Sequence, residues 1–398
     1  MDKITKITVE EIKDSRGNPT IRVAVFCGDK TGSFSVPAGV STGTREASCQ
    51  SAGRAIEKIK NIITPALIGK NILNQKEIDE LMIKLDGTPN KNNLGSNSMV
   101  GVSIACAKIA AEISGQETFE YLRTLAEIKP SRRIPYLYMN LINGGKHADN
   151  NLAFQEYLIV PETENVEEAI GIGIAIQNTL KEKIKKDLGE ESVKLGDEGG
   201  LAPKISDIRQ PILYLREAIK QNGLEGKVKI ALDAAGSSFY QAGRYQVGEK
   251  STTKEELLDI YIGLIKEFNL FSIEDPFTEE DFGSFNSLKE KNKDLLVVGD
   301  DLTVTSVTLL KKAIAEKSIN AMIVKPNQVG TLTETLNAMK LARENGLELI
   351  VSHRSGETND DFIADLAYAF NCFGLKAGAP TKPERMVKYE RLKKIANL

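Results

Sequence analysis

The chain has 398 residues, enough for two domains or for one barrel with an addition. Its net charge of -3 and lack of any basic block leave no nucleic-acid footprint, and no apolar run reaches membrane-spanning length. The N-terminus leads straight into a strand pattern without a signal-peptide core, so a cytoplasmic protein is expected, with neither nucleic acid nor membrane as a partner.

The predicted elements begin with strands over residues 3–10 and 20–26. Between them lies Asp14-Ser15-Arg16-Gly17-Asn18-Pro19, which has hairpin-turn chemistry. Phe34-Ser35-Val36 reads as a third strand. It runs into Pro37-Ala38-Gly39-Val40-Ser41-Thr42-Gly43-Thr44, a small, hydroxyl-rich loop suited to reach a phosphate or a metal. Apolar residues three and four apart predict helices over 52–63, 75–85 and 98–113, and a shorter one over 119–126. Strands followed by helices point to an N-terminal α+β domain, residues 1–128. Two prolines and three positive charges mark 128–135 as a linker to a second domain at 135–398. The cysteines, Cys27, Cys49, Cys106 and Cys372, have the spacing of neither a zinc ribbon nor a redox pair.

The second domain opens with a strand-like run that ends in Asn143-Gly144-Gly145-Lys146-His147. A strand carrying Gln155 and Glu156 follows, then a long amphipathic helix over 166–188. Next come Gly196-Asp197-Glu198-Gly199-Gly200 and a helix over 207–222. From there a pattern repeats. Successive apolar runs end in Asp233, Glu274, Asp300, Lys325, His353 with Arg354, and Lys376. Helix-like sequence fills most gaps, as over 306–317 and 331–345. Repeated strand–helix units imply parallel strands with right-handed crossovers, here closed into a TIM-type β/α barrel. A barrel brings the strand ends to one mouth, where three carboxylates, two lysines, a histidine and an arginine would meet.

Asp233, Glu274 and Asp300 supply the hard oxygen ligands that magnesium prefers. Asp275 and Asp301 follow directly and would position lysines or ligands from behind. Lys325 ends an apolar strand. Near other cations and a metal its proton affinity should fall, which makes it a candidate general base. Arg354 and Ser355 offer phosphate contacts, and Lys376 adds positive charge for an anionic substrate. Together these residues suggest proton abstraction beside a carboxylate, with the enolate stabilised by metal and lysine charge. Glu198 or Glu156 would help to expel a leaving group from the other side.

Motifs along nearly the whole chain now carry a resemblance. They are Asp14-Ser-Arg-Gly-Asn-Pro-Thr20, Ser41-Thr-Gly43, Asn143-Gly-Gly-Lys-His-Ala148, Gln155-Glu156, Gly196-Asp-Glu-Gly-Gly200, Ser272-Ile-Glu-Asp-Pro276, Gly299-Asp-Asp-Leu-Thr-Val-Thr305, Lys325-Pro-Asn-Gln-Val-Gly330 and Ser352-His-Arg-Ser-Gly-Glu-Thr358. In these the chain resembles the enolase family. The resemblance implies a carbon–oxygen lyase of glycolysis that reversibly dehydrates 2-phospho-D-glycerate to phosphoenolpyruvate. It implies that Lys325 takes the C2 proton and that Glu198 assists loss of the C3 hydroxyl with Glu156 beside it. Two Mg2+ ions per site are implied, the first on Asp233, Glu274 and Asp300, the second helped by Ser41. Arg354 and Ser355 match phosphate contacts, while His147, Gln155, His353 and Lys376 match other substrate-pocket positions. The family's barrel has irregular first units, two strands and then two helices, which suits residues 135–205. The motif at 14–20 matches a region near the family's dimer contact, so a homodimer or dimer-based oligomer is implied.

Some positions depart from the family pattern. Ala38 stands where a serine is usual, Ala377 where a threonine is usual, and the charged segment beyond Glu46 is shortened. Acid-sugar dehydratases and racemases of the same superfamily carry a Lys-x-Lys base motif where this chain has the acidic, glycine-rich 196–200 stretch. A catalytically silent relative serving as a binding or scaffold protein is the remaining alternative, and the shortened segment is its only support.

Overall fold

The computed structural model describes residues 2–39 and 44–398; Ser41, the expected second-metal residue, lies outside them. Strands β1 (Lys6–Lys13), β2 (Pro19–Cys27) and β3 (Lys30–Ser35) form an antiparallel meander. Its first turn closes because the Asp14 carboxylate accepts the backbone N–H groups of Arg16 and Asn18, at 2.9 and 2.8 Å. Ile21, Val23 and Val25 point to one side of β2 and are fully buried. The helix Ser96–Ile113 packs on that sheet and also touches the barrel loop at 326–328. Buried polar contacts fasten this half to the barrel. Asp79 accepts the Thr333 backbone N–H at 2.9 Å, and the Ser103 hydroxyl accepts that of Leu332 at 2.9 Å. Among the described residues no single helix is long and apolar enough to cross a membrane.

The second half begins with β4 (Tyr136–Asn143) and β5 (Glu156–Pro161). Two helices, Val166–Leu188 and Gln210–Gln221, precede β6 (Val228–Asp233). A small meander, β7 (Tyr240–Gln241), β8 (Arg244–Val247) and β9 (Lys250–Thr252), accounts for the long step between Asp233 and Glu274. Its strands are too short for their periodicity to register in sequence. Then come β10 (Ser272–Glu274), β11 (Leu296–Gly299), β12 (Ala321–Val324), β13 (Glu348–Ser352) and β14 (Gly374–Lys376), each followed by a helix of at least eight residues. The barrel closes in the order β10-β11-β12-β13-β14-β4-β5-β6. All neighbours are parallel except β5, which runs against both β4 and β6. The irregular opening of two strands and two helices is therefore present.

Side chains alternate between the two faces of a strand, and this alternation builds the mouth. Leu158, Val160, Ala231, Val298, Ala321, Ile323 and Ile350 form a core inside the barrel. Their neighbours Ile159, Leu232, Val297, Met322, Leu349 and Val351 face the other way, into the core shared with the helices. Two residues on from the inner set stand Asp233, Asp300, Lys325 and Ser352. In register with them are Glu274, opposite Asp233, and Lys376, opposite Ser352. Because β5 is reversed, its first residue, Glu156, also reaches the mouth and pairs in register with Asp233.

Candidate active site

The expected strand-end residues meet, and they neutralise one another. The Lys376 ammonium lies 3.0 Å from Glu156, 3.0 Å from Asp233 and 2.8 Å from Glu274. Burial opposes its charge, but Asp233, Glu156 and Glu274 hold Lys376 well above its ordinary value. Lys325 pairs with Asp300, whose other oxygen accepts from the Gln328 amide at 2.9 Å. The expected fall in the proton affinity of Lys325 is tied to a metal; with Asp300 turned onto the lysine instead, that carboxylate offsets burial and the proton affinity is raised. Around His147, Gln155, Glu156, Glu198, Asp233 and the 352–355 loop the mouth encloses a cavity of only about 20 Å³. The larger pocket, about 600 Å³ beside Ser206–Arg209 and Val247–Lys250, gathers none of the candidate residues.

Asp275 works as expected from behind. Its carboxylate accepts the backbone N–H groups of Asp300 and Asp301, at 3.0 and 2.6 Å, and so aims the Asp300 loop. It does so from φ +40°, a conformation that costs a non-glycine residue about 1–3 kcal/mol. Burial and the Asp300 charge push Asp301 up to about 8.

Glu198 comes from the loop between the helices Val166–Leu188 and Gln210–Gln221, and the fold brings β4, β13 and the C-terminal helix to it. Asn140 on β4 donates to its Oε2 at 2.9 Å. His147 and His353 stand 3.5 and 3.3 Å from its Oε1. Gly378, at φ +87°, lets the chain after β14 pass this loop; a Cβ there would lie 2.8 Å from the Glu198 carbonyl oxygen. Glu156 and Glu198 form a coupled pair with His147, their polar atoms within 4.8 Å of one another. Burial and the Glu198 charge push the Glu156 carboxyl well above the usual range. Glu198 is buried too, yet the imidazoles of His353 and His147 beside it hold it low. The pair is thus driven apart, Glu156 towards the protonated form and Glu198 towards the carboxylate.

Arg354 is gripped from the N-terminal half. Glu46 takes its guanidinium fork with contacts of 3.0 Å, and Asn327 accepts from Nη1 at 2.9 Å. The neighbouring chain is tied across the mouth. Ala38 and Gly356 exchange backbone hydrogen bonds of 2.8 and 2.9 Å, while Thr44 and Arg45 bond to Glu279.

The donor set suits a divalent cation. Glu274 Oε1 is buried without a hydrogen-bond partner among the described residues, and burial beside Asp233 pushes this carboxyl well above the usual range. A hard cation among such oxygens would favour the ionised form. Asp233, Glu274 and Asp300 are not drawn into one tight cluster, because Lys376 and Lys325 divide them.

Asn140, Glu46 and Arg385 were not singled out as contacts from sequence. Asn140, an amide within an apolar strand run, carried a readable signal. Glu46 and Arg385 carried none, because charged residues in a polar segment or on a terminal helix usually face water.

Two family models match this chain: "Enolase, N-terminal domain" over residues 4–122 and "Enolase, C-terminal TIM barrel domain" over 131–398. The chain is similar to "Enolase" of Methanocaldococcus jannaschii, with 44% identity over 99% of this chain and 95% of that protein. It is 42% identical to "Enolase" of Methanosarcina acetivorans, over 99% and 94% of the two chains. It is 40% identical to "Enolase 1" of Entamoeba histolytica, over 98% and 95%.

Proposed function

The chain belongs to the enolase family, and from that premise we propose that its barrel mouth interconverts 2-phospho-D-glycerate and phosphoenolpyruvate with magnesium. The observation that supports this reading most is that Asp233, Lys325 and Lys376 line one cavity with Glu198 and Arg354, while Glu274 and Asp300 pair with its two lysines. Lys325 takes the C2 proton. Asp300 restrains it: this carboxylate and Glu274 raise the proton affinity of Lys325 while burial, Arg354 and Lys376 lower it, and a divalent cation held by Asp300 and Glu274 would weaken the first two. Bound magnesium would supply positive charge to the substrate carboxylate as the enolate forms. Lys376 adds charge on the same side. β13 and β14 separate Lys325 from β4, where Asn140 orients Glu198. The Glu198–Glu156 pair delivers its proton to the departing C3 hydroxyl. Arg354 exchanges its bond to Glu46 for the substrate phosphate, joined by Ser355. His147, Gln155 and His353 line the remaining wall.

The same reading divides the chain into a capping domain, 1–128, and a catalytic barrel, 135–398. It adds a second magnesium completed by Ser41, a cytoplasmic location, and a homodimer joined near the turn at 14–20. Sedimentation of the purified protein tests the dimer. The function is tested by supplying 2-phosphoglycerate and magnesium and following the absorbance of phosphoenolpyruvate. No turnover from folded, metal-loaded protein would end this reading.

A further inference from the structure

The C-terminal helix Pro383–Ala396 adds nothing to the lining of the mouth cavity, yet its Arg385 is fully buried behind it. The guanidinium is directed at loops, with no carboxylate among its hydrogen-bond partners. Nη1 lies 2.5 Å from His353 Nδ1 and donates to the Arg354 carbonyl at 2.7 Å. Nη2 donates to the carbonyls of Ser355 at 2.7 Å and Asp197 at 3.2 Å. One side chain therefore joins the loop that carries Glu198 to the loop that carries His353, Arg354 and Ser355.

The contact with His353 has a chemical consequence. A guanidinium offers only donors and stays charged at any pH a protein survives. Nδ1 of His353 must then present its lone pair, and the ring proton must sit on Nε2. Nε2 faces Glu198 Oε1 at 3.3 Å. Burial lowers the proton affinity of His353 to about 4; Glu198 pulls the other way, and the Arg385 charge adds to the lowering. At neutral pH the ring therefore turns an N–H, and not a cation, towards Glu198.

We propose that Arg385 is a positioning residue that fixes His353 as the neutral Nε2–H tautomer, so that the ring turns an N–H towards Glu198 and cannot take up the proton that the Glu198–Glu156 pair handles. The inference rests on Glu198 as the acid of the proposed reaction. With Nδ1 held by Arg385 and Nε2 already carrying a proton, the ring has no lone pair to offer, and a proton at the carboxyl pair can pass only between Glu198, Glu156 and the departing hydroxyl. Any other tautomer would make the ring a competing base at the carboxyl.

The chain has only two histidines, so the tautomer can be read directly. The full-length protein is labelled with 15N-histidine, and long-range 1H–15N correlations are recorded near neutral pH. His353→Gln assigns the signals by deletion. The expected result is that His353 gives the neutral Nε2–H pattern. An Nδ1–H pattern or an imidazolium pattern overturns the proposal. In Arg385→Met the pattern shifts towards Nδ1–H, and kcat falls about 10- to 100-fold, the usual cost of losing an outer-layer partner, while KM changes little. Arg385→Lys restores part of both. If Arg385→Met folds, loses activity and still keeps the Nε2–H pattern, the proposed link is wrong. If it does not fold, the wild-type spectrum still decides. The spectrum needs no turnover, so failure of the assigned reaction would appear separately, in the phosphoenolpyruvate assay.

Discussion

Inside the barrel, Leu158, Ala231, Val298, Ile323 and Ile350 meet in a buried apolar core. Two residues along the same strands, and on the same face, stand Glu156, Asp233, Asp300, Lys325 and Ser352. The two layers share backbone, burial and register, but they stabilise the fold in opposite senses. Burying a large apolar side chain contributes about 1.5–3 kcal/mol. Burying a charge costs several kcal/mol, which an ion pair offsets only in part. The strain shows in the mouth: the carboxyls of Glu156, Glu274 and Asp275 are all pushed up, burial being the first cause. Among the described residues, both ring nitrogens of His147 and Glu274 Oε1 lack hydrogen-bond partners. The apolar layer carries the stability that lets the charged layer exist above it.

The sharpest way to break this contrast is to remove function from the mouth. Lys325→Ala should lower turnover by roughly 10⁴-fold and stop exchange of the C2 proton of 2-phosphoglycerate with deuterated solvent. Glu198→Gln should block dehydration and keep that exchange. Equal loss of exchange in both variants would contradict the division of roles. In the apolar layer, Ile350→Ala should cost about 2–5 kcal/mol in urea unfolding, with kcat changed far less than in the mouth variants.

Acid should separate the layers next. His353 faces Glu198, Arg385 and Glu357, and its native value of about 4 lies below the ordinary 6.5. As pH falls through that window the unfolded chain takes up the proton first, so stability present above it is lost on acidification. The loss is roughly 3 kcal/mol at most. His353→Gln should shrink the difference in unfolding free energy between about pH 7 and pH 4.5, measured with urea. The smallest effect has the opposite sign. Glu274→Gln removes a buried like charge, so it should stabilise the metal-free protein by about 1 kcal/mol and abolish the rise of Tm with added magnesium. A melting curve with and without the metal checks both parts.

Much of this contrast is legible in residue order. Apolar runs that end in Asp233, Glu274, Asp300, Lys325 and Lys376 announce both the strands and the charged layer. The helices over 75–85 and 166–188 read correctly from their apolar spacing, because each buries one continuous stripe. The strands β7, β8 and β9 escaped because so few residues leave no pattern to count. The raised proton affinity of Lys325 escaped for another reason. The sequence places cations and a metal site nearby, but only the packed mouth turns the Asp300 oxygen onto the lysine.

By itself the sequence determined which residues share the mouth. Side-chain alternation is set by local backbone sterics, and a barrel gathers strand ends whatever the loops do. The tertiary structure alone decided what each of those residues touches. Reversal of β5 turns Glu156 inward at the start of its strand. Closure of the barrel brings Asn140, His353 and Arg385 around Glu198, and Glu46 crosses from the other half to hold Arg354. Such partners lie far apart in the chain, and no local preference specifies them. They are fixed only when the packed core leaves each buried polar group one way to be satisfied.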